Sequence, residues 1–449
     1  MSFKFRSRAR RGVFLLGMFV ALLLGVGNLH GATIAMNGTD AVNTTSFNTG
    51  LHWTGGAVPT AGNAYQTATF RLRTPTNTTS VAFAGDSLEI QAGGGELRIK
   101  TGATVTVTNL ILADTALVDL TQPTGGTAST LAGNITLNGT ATLQAGLNAG
   151  ESATVLTISS LVSGTGGFTT TGSFGTIIFS ATNTYSGATT VNGGIVLING
   201  VLPNSAVTIS SGTLGGSGTL KSTVTPQAGG TLRPGLGGVD TSTLTISNNL
   251  TLAGTTLLAL NRTNAQTASR LAGVSALTLG GALTVSNVGP ALQLGDTFQL
   301  FSATSFTGGF SATNLPSLTA GLGWSNSIPL NGRLTVVTST APVIGRWTND
   351  ASSVWSATTN WSGAIPADGT GSNADFSSIN LTADRTVTLD SARTVGYLLF
   401  GDTSGSQNWT LTASGGSILT LAVASGAATA TVNNNSATIS APLAGTAGL

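Results

Sequence analysis

Apolar and polar residues alternate in short bursts along most of this chain. Leu88-Glu-Ile90, Leu97-Arg-Ile-Lys100, Val105-Thr-Val107, Leu110-Ile-Leu112, Ile135-Thr-Leu137 and Val155-Leu-Thr-Ile158 place aliphatic residues at every second position or nearly so. That is the period at which side chains of a β-strand return to one face. Gly, Asn or Asp separates the bursts roughly every 8–15 residues, close to the spacing expected of a parallel β-helix or another all-β stack. The same texture returns in Leu244-Thr-Ile246, residues 257–260, Leu277-Thr-Leu279 and Leu283-Thr-Val285. After the first thirty residues no stretch carries the helix-forming residues in amphipathic register.

The most regular unit begins at residue 183. Asn183-Thr-Tyr-Ser-Gly-Ala-Thr-Thr-Val191 runs directly into Asn192-Gly-Gly-Ile-Val-Leu-Ile-Asn-Gly200. It reads as turn, strand, tight glycine turn, strand, which is one rung of a stack. Within it Val191, Ile195 and Leu197 are expected to point inward. Asn183 and Asn192 suit turns whose amides bond along the stack. Gly187, Gly193 and Gly194 suit corners at positive φ. The stretch resembles the autotransporter-associated β-strand repeat of exported bacterial passenger proteins. Its repeat positions here are Asn183, Thr184, Tyr185, Gly187, Thr189, Val191, Gly193 and Gly194. Leu214-Gly-Gly-Ser-Gly-Thr-Leu220, Thr231-Leu-Arg-Pro-Gly235 and the closing block Leu315-Pro316, Gly321-Leu-Gly-Trp324 and Gly332-Arg-Leu-Thr-Val336 are also similar to the segments downstream of such repeats in that family. The resemblance covers about half the chain. It implies an all-β, right-handed parallel β-helix or related β-solenoid, and an extracellular scaffold rather than a reaction.

Two segments echo each other. Leu51-His-Trp-Thr-Gly-Gly-Ala-Val-Pro59 and Thr359-Asn-Trp-Ser-Gly-Ala-Ile-Pro366 each join a Trp, a small polar turn and an aliphatic-Pro pair. A Phe comes after each, Phe70 and Phe376, and Phe83-Ala-Gly-Asp86 and Phe400-Gly-Asp402 lie further on. They read as two starts of one module. The expected organisation is an export signal at 1–31, a Trp- and Gly-rich leader and cap at 32–76, and a repeat region at 77–340. A second leader with the start of further rungs occupies 341–449. The leaders and the 321–336 block are candidates to close the ends of the stack, whose open strands are otherwise unpaired edges. The last residues parallel 158–168, which lead into the repeat motif, so the sequence is expected to be a fragment of a longer protein. A translocating barrel or anchor, if one exists, is not in this chain.

Composition sharpens the picture. Charged residues are 7% of the chain, against about 25% in ordinary globular proteins. Lys4, Arg6, Arg8, Arg10 and Arg11 precede an apolar run over 13–26 and small residues at Gly27, Gly31 and Ala32, the layout of a secretory signal. Its removal leaves 12 Lys and Arg against 15 Asp and Glu. The mature chain is then acidic and lacks the basic stripe that nucleic acid requires. With no cysteine, disulfides and thiolate metal sites are excluded. The expected address is the cell surface, the outer membrane or the medium.

Candidate chemistry is sparse. His52 stands where the second leader has Asn360 and matches no nucleophile elbow or zinc helix. Glu96, Arg98 and Lys100, near Asp86 and Glu89, form the densest charge group; alternation sets them opposite Leu97 and Ile99, as on a solvated strand face. Asp384, Arg385, Asp390 and Arg393 form a second group, in which alternation places Arg385 and Asp390 on opposite faces. Charges over 121–345 are too scattered for a paired-carboxylate site. Gly237-Gly-Val-Asp240 occurs once, without the repetition that a calcium array needs. Trp347, Trp355 and Trp361 suit either an aromatic plug or a sugar-stacking platform, and the plug is the simpler reading. The expectation is an exported structural passenger with an adhesion or matrix role, no catalysis and no cofactor. Its partners are surface polysaccharide or other cell-surface components. The alternative is a carbohydrate-binding or carbohydrate-active β-helix.

Overall fold

The computed structural model describes residues 31–76, 78–120, 128–147, 153–172, 174–235, 240–319, 321–339 and 342–445. The signal expected at 1–31 therefore lies almost wholly outside the described residues. Strand makes up 47% and helix 3%, and the strands pair in parallel to form a β-solenoid of about 14 turns. This is the all-β stack that the alternation predicts.

Each turn of the first stack contributes to three columns of strands. The first column starts with Thr33–Ala35, Ala64–Gln66 and Ser87–Ile90. The second runs through Arg71–Arg73, Glu96–Arg98, Leu117–Leu120, Ala141–Ala145, Phe168–Thr171, Thr189–Val191, Val207–Ile209 and Val224–Pro226. The third includes Val155–Ile158, Thr176–Phe179, Ile195–Ile198, Thr213–Gly216 and Thr231–Pro234. Long strands turn corners. Thr104–Leu112 gives its first half to the third column and its second half to the first, with a register shift between Val107 and Asn109. The parallel stack thus already begins within the leader.

Inward positions are aliphatic and stack on their counterparts one turn away. Leu72, Leu97, Val118 and Leu143 form one such file in the second column, all buried. Burying a side chain of this size contributes about 1.5–3 kcal/mol, and the file repeats with every added turn.

The ends are treated differently from the middle. Met36 bridges Trp53 next to the first strand, and Trp347 bridges Trp361 next to Ile344–Arg346, the first strand of a second stack. Asn37 N–H donates to His52 O at 2.8 Å and Thr348 N–H to Asn360 O at 2.8 Å. The two leaders therefore fold alike, and His52 and Asn360 are equivalent. The expected pairing of Phe70 with Phe376 fails. Met36 N–H donates to Gln66 O and Trp347 N–H to Asp375 O, so Thr67 is the counterpart of Phe376. Phe83 and Phe400 also differ: Phe83 bonds to Thr106 of the third column, while Phe400 lies in the column that continues Ile344–Arg346.

The first stack ends in antiparallel pairing, in which Arg333–Thr338 lies between Thr297–Gln299 and Leu322–Ser327. Phe298, Ile328, Leu334 and Val336 are buried there against the last turns. A parallel ladder cannot extend through such a sheet, which fits the capping role expected of 321–336. The second stack has its own core of Trp347, Trp355, Trp361, Phe376, Trp409 and aliphatics. Its strands Asn373–Phe376, Tyr397–Phe400 and Thr429–Val432 pair in parallel, as do Arg385–Leu389, Trp409–Ala413 and Ala437–Ile439.

One register expectation is corrected. Val191 is buried and inward, but in Ile195–Ile198 it is Val196 and Ile198 that join the core. Ile195 is half-buried. Leu197 is buried on the outer side, where its Cδ2 approaches the backbone at Gly215. A run of four branched residues conceals its own alternation. Ile198→Ala is accordingly expected to cost about 2–5 kcal/mol and Ile195→Ala less than about 1 kcal/mol, read from denaturant midpoints of the two variants.

Candidate functional site

The repeat motif builds a joint between rungs. Tyr185 is buried, its ring edge-on to Phe168 of the preceding turn at 5.3 Å. Its hydroxyl lies 2.6 Å from Thr189 Oγ1, which lies 2.9 Å from Ser205 Oγ. Burial pushes the phenol up to about 12, against the opposing effect of these hydroxyls. Buried Asn183 accepts from Val162 N–H one turn below at 3.2 Å and donates to Ala181 O, so its amide does bond along the stack. Asn192 does likewise through Ser211 at 3.1 Å. Thr184 N–H donates to Val162 O. Gly193 and Gly194 have positive φ, at 142° and 65°. Gly187 does not; it is required because a Cβ there would lie 2.3 Å from the Gly166 carbonyl carbon. The inner members of the joint, Asn183, Tyr185 and Thr189, are buried, whereas Thr184 and Asn192 are exposed at its turns.

The leader tryptophans are equally enclosed. Trp347 and Trp355 each pack on Trp361, with centroids 5.1 and 5.2 Å away. All three are buried, and each indole N–H donates to a backbone carbonyl. Trp53 donates to Ser46 O in the first leader. Rings so placed act as plugs and present no face to a sugar. His52 Nε2 is 3.9 Å from Asp40. That carboxylate is already taken by Ser46 N–H, Ser46 Oγ and Arg73 N–H, all within 2.8 Å.

The charge group at 96–100 departs from its expected solvated face. Glu96 is buried between Arg71 and Arg98, each at 2.6 Å, and Arg98 also reaches buried Asp119 at 2.8 Å. Arg71 pairs with Glu96 in register, and Arg73 with Arg98 and then Asp119. Alternation correctly sets these side chains opposite Leu97, but neighbouring turns close over them. Arg73 is buried, and its guanidinium is made less basic by burial and by Arg98 and Arg71. In the second stack, Arg385 holds Asp350, and with Thr382 lowers its carboxyl to about 2. Asp390 bonds Ser356 and Arg393 bonds Asp368, so the Arg385–Asp390 pair does not form. Burial alone would raise the Asp402 carboxyl, but N–H groups of Leu381, Ser406 and Ser404 hold it well below the carboxylate range. No group of three His, Asp or Glu suited to a metal ion occurs among the described residues; 237–239 of the weighed calcium turn lie outside them.

The same column that begins with ion pairs continues as a row of threonine. Thr142 pairs with Thr169, Thr169 with Thr190, Thr190 with Thr208 and Thr208 with Thr225. Val224 pairs with Leu250, which sets Thr225 beside Thr251, and Thr251 pairs with Thr278 and Thr278 with Thr307. All are exposed or half-exposed, and from Thr142 to Thr278 each stands between buried neighbours. Thr278 and Thr307 hydroxyls are 3.1 Å apart. Sequence reasoning misses this row because the turns differ in length, so no fixed spacing marks it. A cavity of about 490 Å³ lies between the first cap and the second stack, where Arg393 and Asp368 line it together with Gly321, Thr338 and Pro366.

These features define a parallel β-solenoid whose buried acids are tied to Arg or to backbone N–H groups and whose second column carries an uncharged outer row from Thr142 to Thr307. No known protein family and no curated protein matches the chain.

The ionic segment is expected to be structural. Glu96→Ala leaves Arg71 and Arg98 without their shared buried carboxylate and should destabilise the first stack by about 3–5 kcal/mol, read by chemical denaturation at neutral pH.

Proposed function

We propose that this protein is an exported, passenger-type structural β-solenoid, displayed at the cell surface or secreted, which serves adhesion or matrix building without catalysis. The observation that carries the reading is how the carboxylates are used. Asp40, Glu96, Asp119, Asp375 and Asp402, the buried acids among the described residues, are each tied to Arg or to backbone N–H groups. Glycoside chemistry uses two carboxyl groups facing one substrate across about 5–10 Å, and acids tied in this way are not poised for it. Export is supported by the basic-then-apolar start of the sequence and by the absence of cysteine. The resemblance of 183–200 to passenger repeats gives the class.

Expression of the whole chain in a bacterial host with two membranes tests both halves. The exported protein should begin between about Gly27 and Met36 by mass spectrometry, the window of small residues after the apolar run. Purified protein should leave common plant and bacterial polysaccharides uncut. Intact Met1 in a cytoplasmic pool would refute export. Turnover abolished by Asp384→Ala or Asp390→Ala would refute the non-catalytic half.

A further inference from the structure

We infer that the threonine ladder of the second column is a docking face for a second copy of this chain, paired face to face about a two-fold axis that lies in the plane of the interface and runs along the strands.

Three observations point to that occupant. The first is charge. On the eight strands of the ladder the outward positions are Thr, with Thr171, Gln144, Ala276 and Ser305 beside the row. None is ionised, so nothing repels an identical neutral face or must shed a charged hydration shell to meet it. The second is period. Rungs repeat at about 4.7–4.9 Å, and a partner must present groups at that repeat to satisfy the whole row together. A second parallel stack does so by construction, and short Thr and Ala side chains allow two such sheets to approach closely, as in dry packed sheet interfaces. No aromatic side chain stands at these outward positions to stack on a sugar ring. The third is the boundary. Towards the start of the stack the same rows become Arg71, Arg73, Glu96, Arg98 and Asp119.

That boundary selects an arrangement. A two-fold related pair brings each position against a different one, reciprocally. With the axis between the Thr208 and Thr225 rungs, the uncharged segments overlap fully, and the ionic ends project past each other. Thr190 then lies opposite Thr251 of the partner subunit. The footprint is about 35 Å by about 16 Å. At about 550 Å² per copy it is smaller than the roughly 800 Å² of a standard interface. The pair is therefore weak between dilute chains and effective where chains are held close together. The inference does not depend on export or on adhesion, and its test is made on purified protein.

Sedimentation velocity over a concentration series should show a reversible dimer of the wild-type chain. Thr208→Lys/Thr225→Lys should weaken it by about a hundredfold, as expected of like charges brought together in an interface. Thr284→Lys, at an outward position of the third column, should leave it unchanged. Because the chain has no cysteine, a trap is available that does not rely on the Lys variant folding. Thr190→Cys/Thr251→Cys should oxidise to a covalent dimer, since within one chain those positions are three rungs apart, about 14 Å. Thr142→Cys/Thr190→Cys should not. A wild type monomeric at every concentration, a dimer indifferent to the Lys pair, or equal cross-linking of both cysteine pairs would each overturn the inference. A monomer retained on an insoluble neutral polysaccharide through these threonines would overturn it in favour of a carbohydrate partner.

Discussion

Everything in this molecule depends on in-register stacking of parallel strands. A turn of the solenoid buries one side of each strand only if the same position on the next turn is also apolar. Leu72, Leu97, Val118 and Leu143 meet that condition in the second column. A slip by one residue would exchange inner and outer rows throughout the column. Corners are therefore constrained as tightly as strands. Gly187 and the Gly193–Gly194 pair stand where a side chain would strike the neighbouring turn or where the backbone turns through positive φ. The Asn183 amide and the Tyr185–Thr189–Ser205 chain of hydroxyls fasten one turn to the next inside the stack.

A stack of this kind has a second problem at its ends, where backbone groups face no partner. The chain uses aromatic plugs at two starts, around Trp53 and around Trp347, Trp355 and Trp361, and an antiparallel sheet at the close of the first stack. The two cores are separate, so each stack has its own hydrophobic support. With charge removed from the middle of the stack and concentrated as ion pairs near its beginning, the second column becomes one face with two characters.

Legibility in the sequence tracks how local each interaction is. The period-two bursts at 88–90, 105–107 and 155–158 reported strands and their inner faces, because alternation is a property of a single strand. The Trp echo at 53 and 361 reported two similar leaders, because the bridges to Met36 and Trp347 lie within each leader. Readings failed where the answer came from another turn. Glu96 looked solvated because Arg71 and Asp119, which enclose it, lie on adjoining rungs. The inner positions of 195–198 were misread by one residue because Leu197 is buried from outside, beside Gly215. The threonine row escaped notice because turns of unequal length bring its members together. Phe70 seemed to answer Phe376 because unequal leader lengths shift the comparison.

The absence of native cysteine makes the stacking itself directly measurable. Thr213 and Thr231 are partners on successive turns of the third column, both at outward positions. Parallel neighbours lie about 4.8 Å apart, inside the roughly 4.4–6.8 Å Cα range of a disulfide. Thr213→Cys/Thr231→Cys, oxidised mildly and mapped by mass spectrometry, should close a bond within one chain while the protein keeps its β-rich circular dichroism. A chain that stays reduced at these positions, yet forms the bond readily when Thr213→Cys is combined with Leu232→Cys, would contradict the register on which the whole account rests.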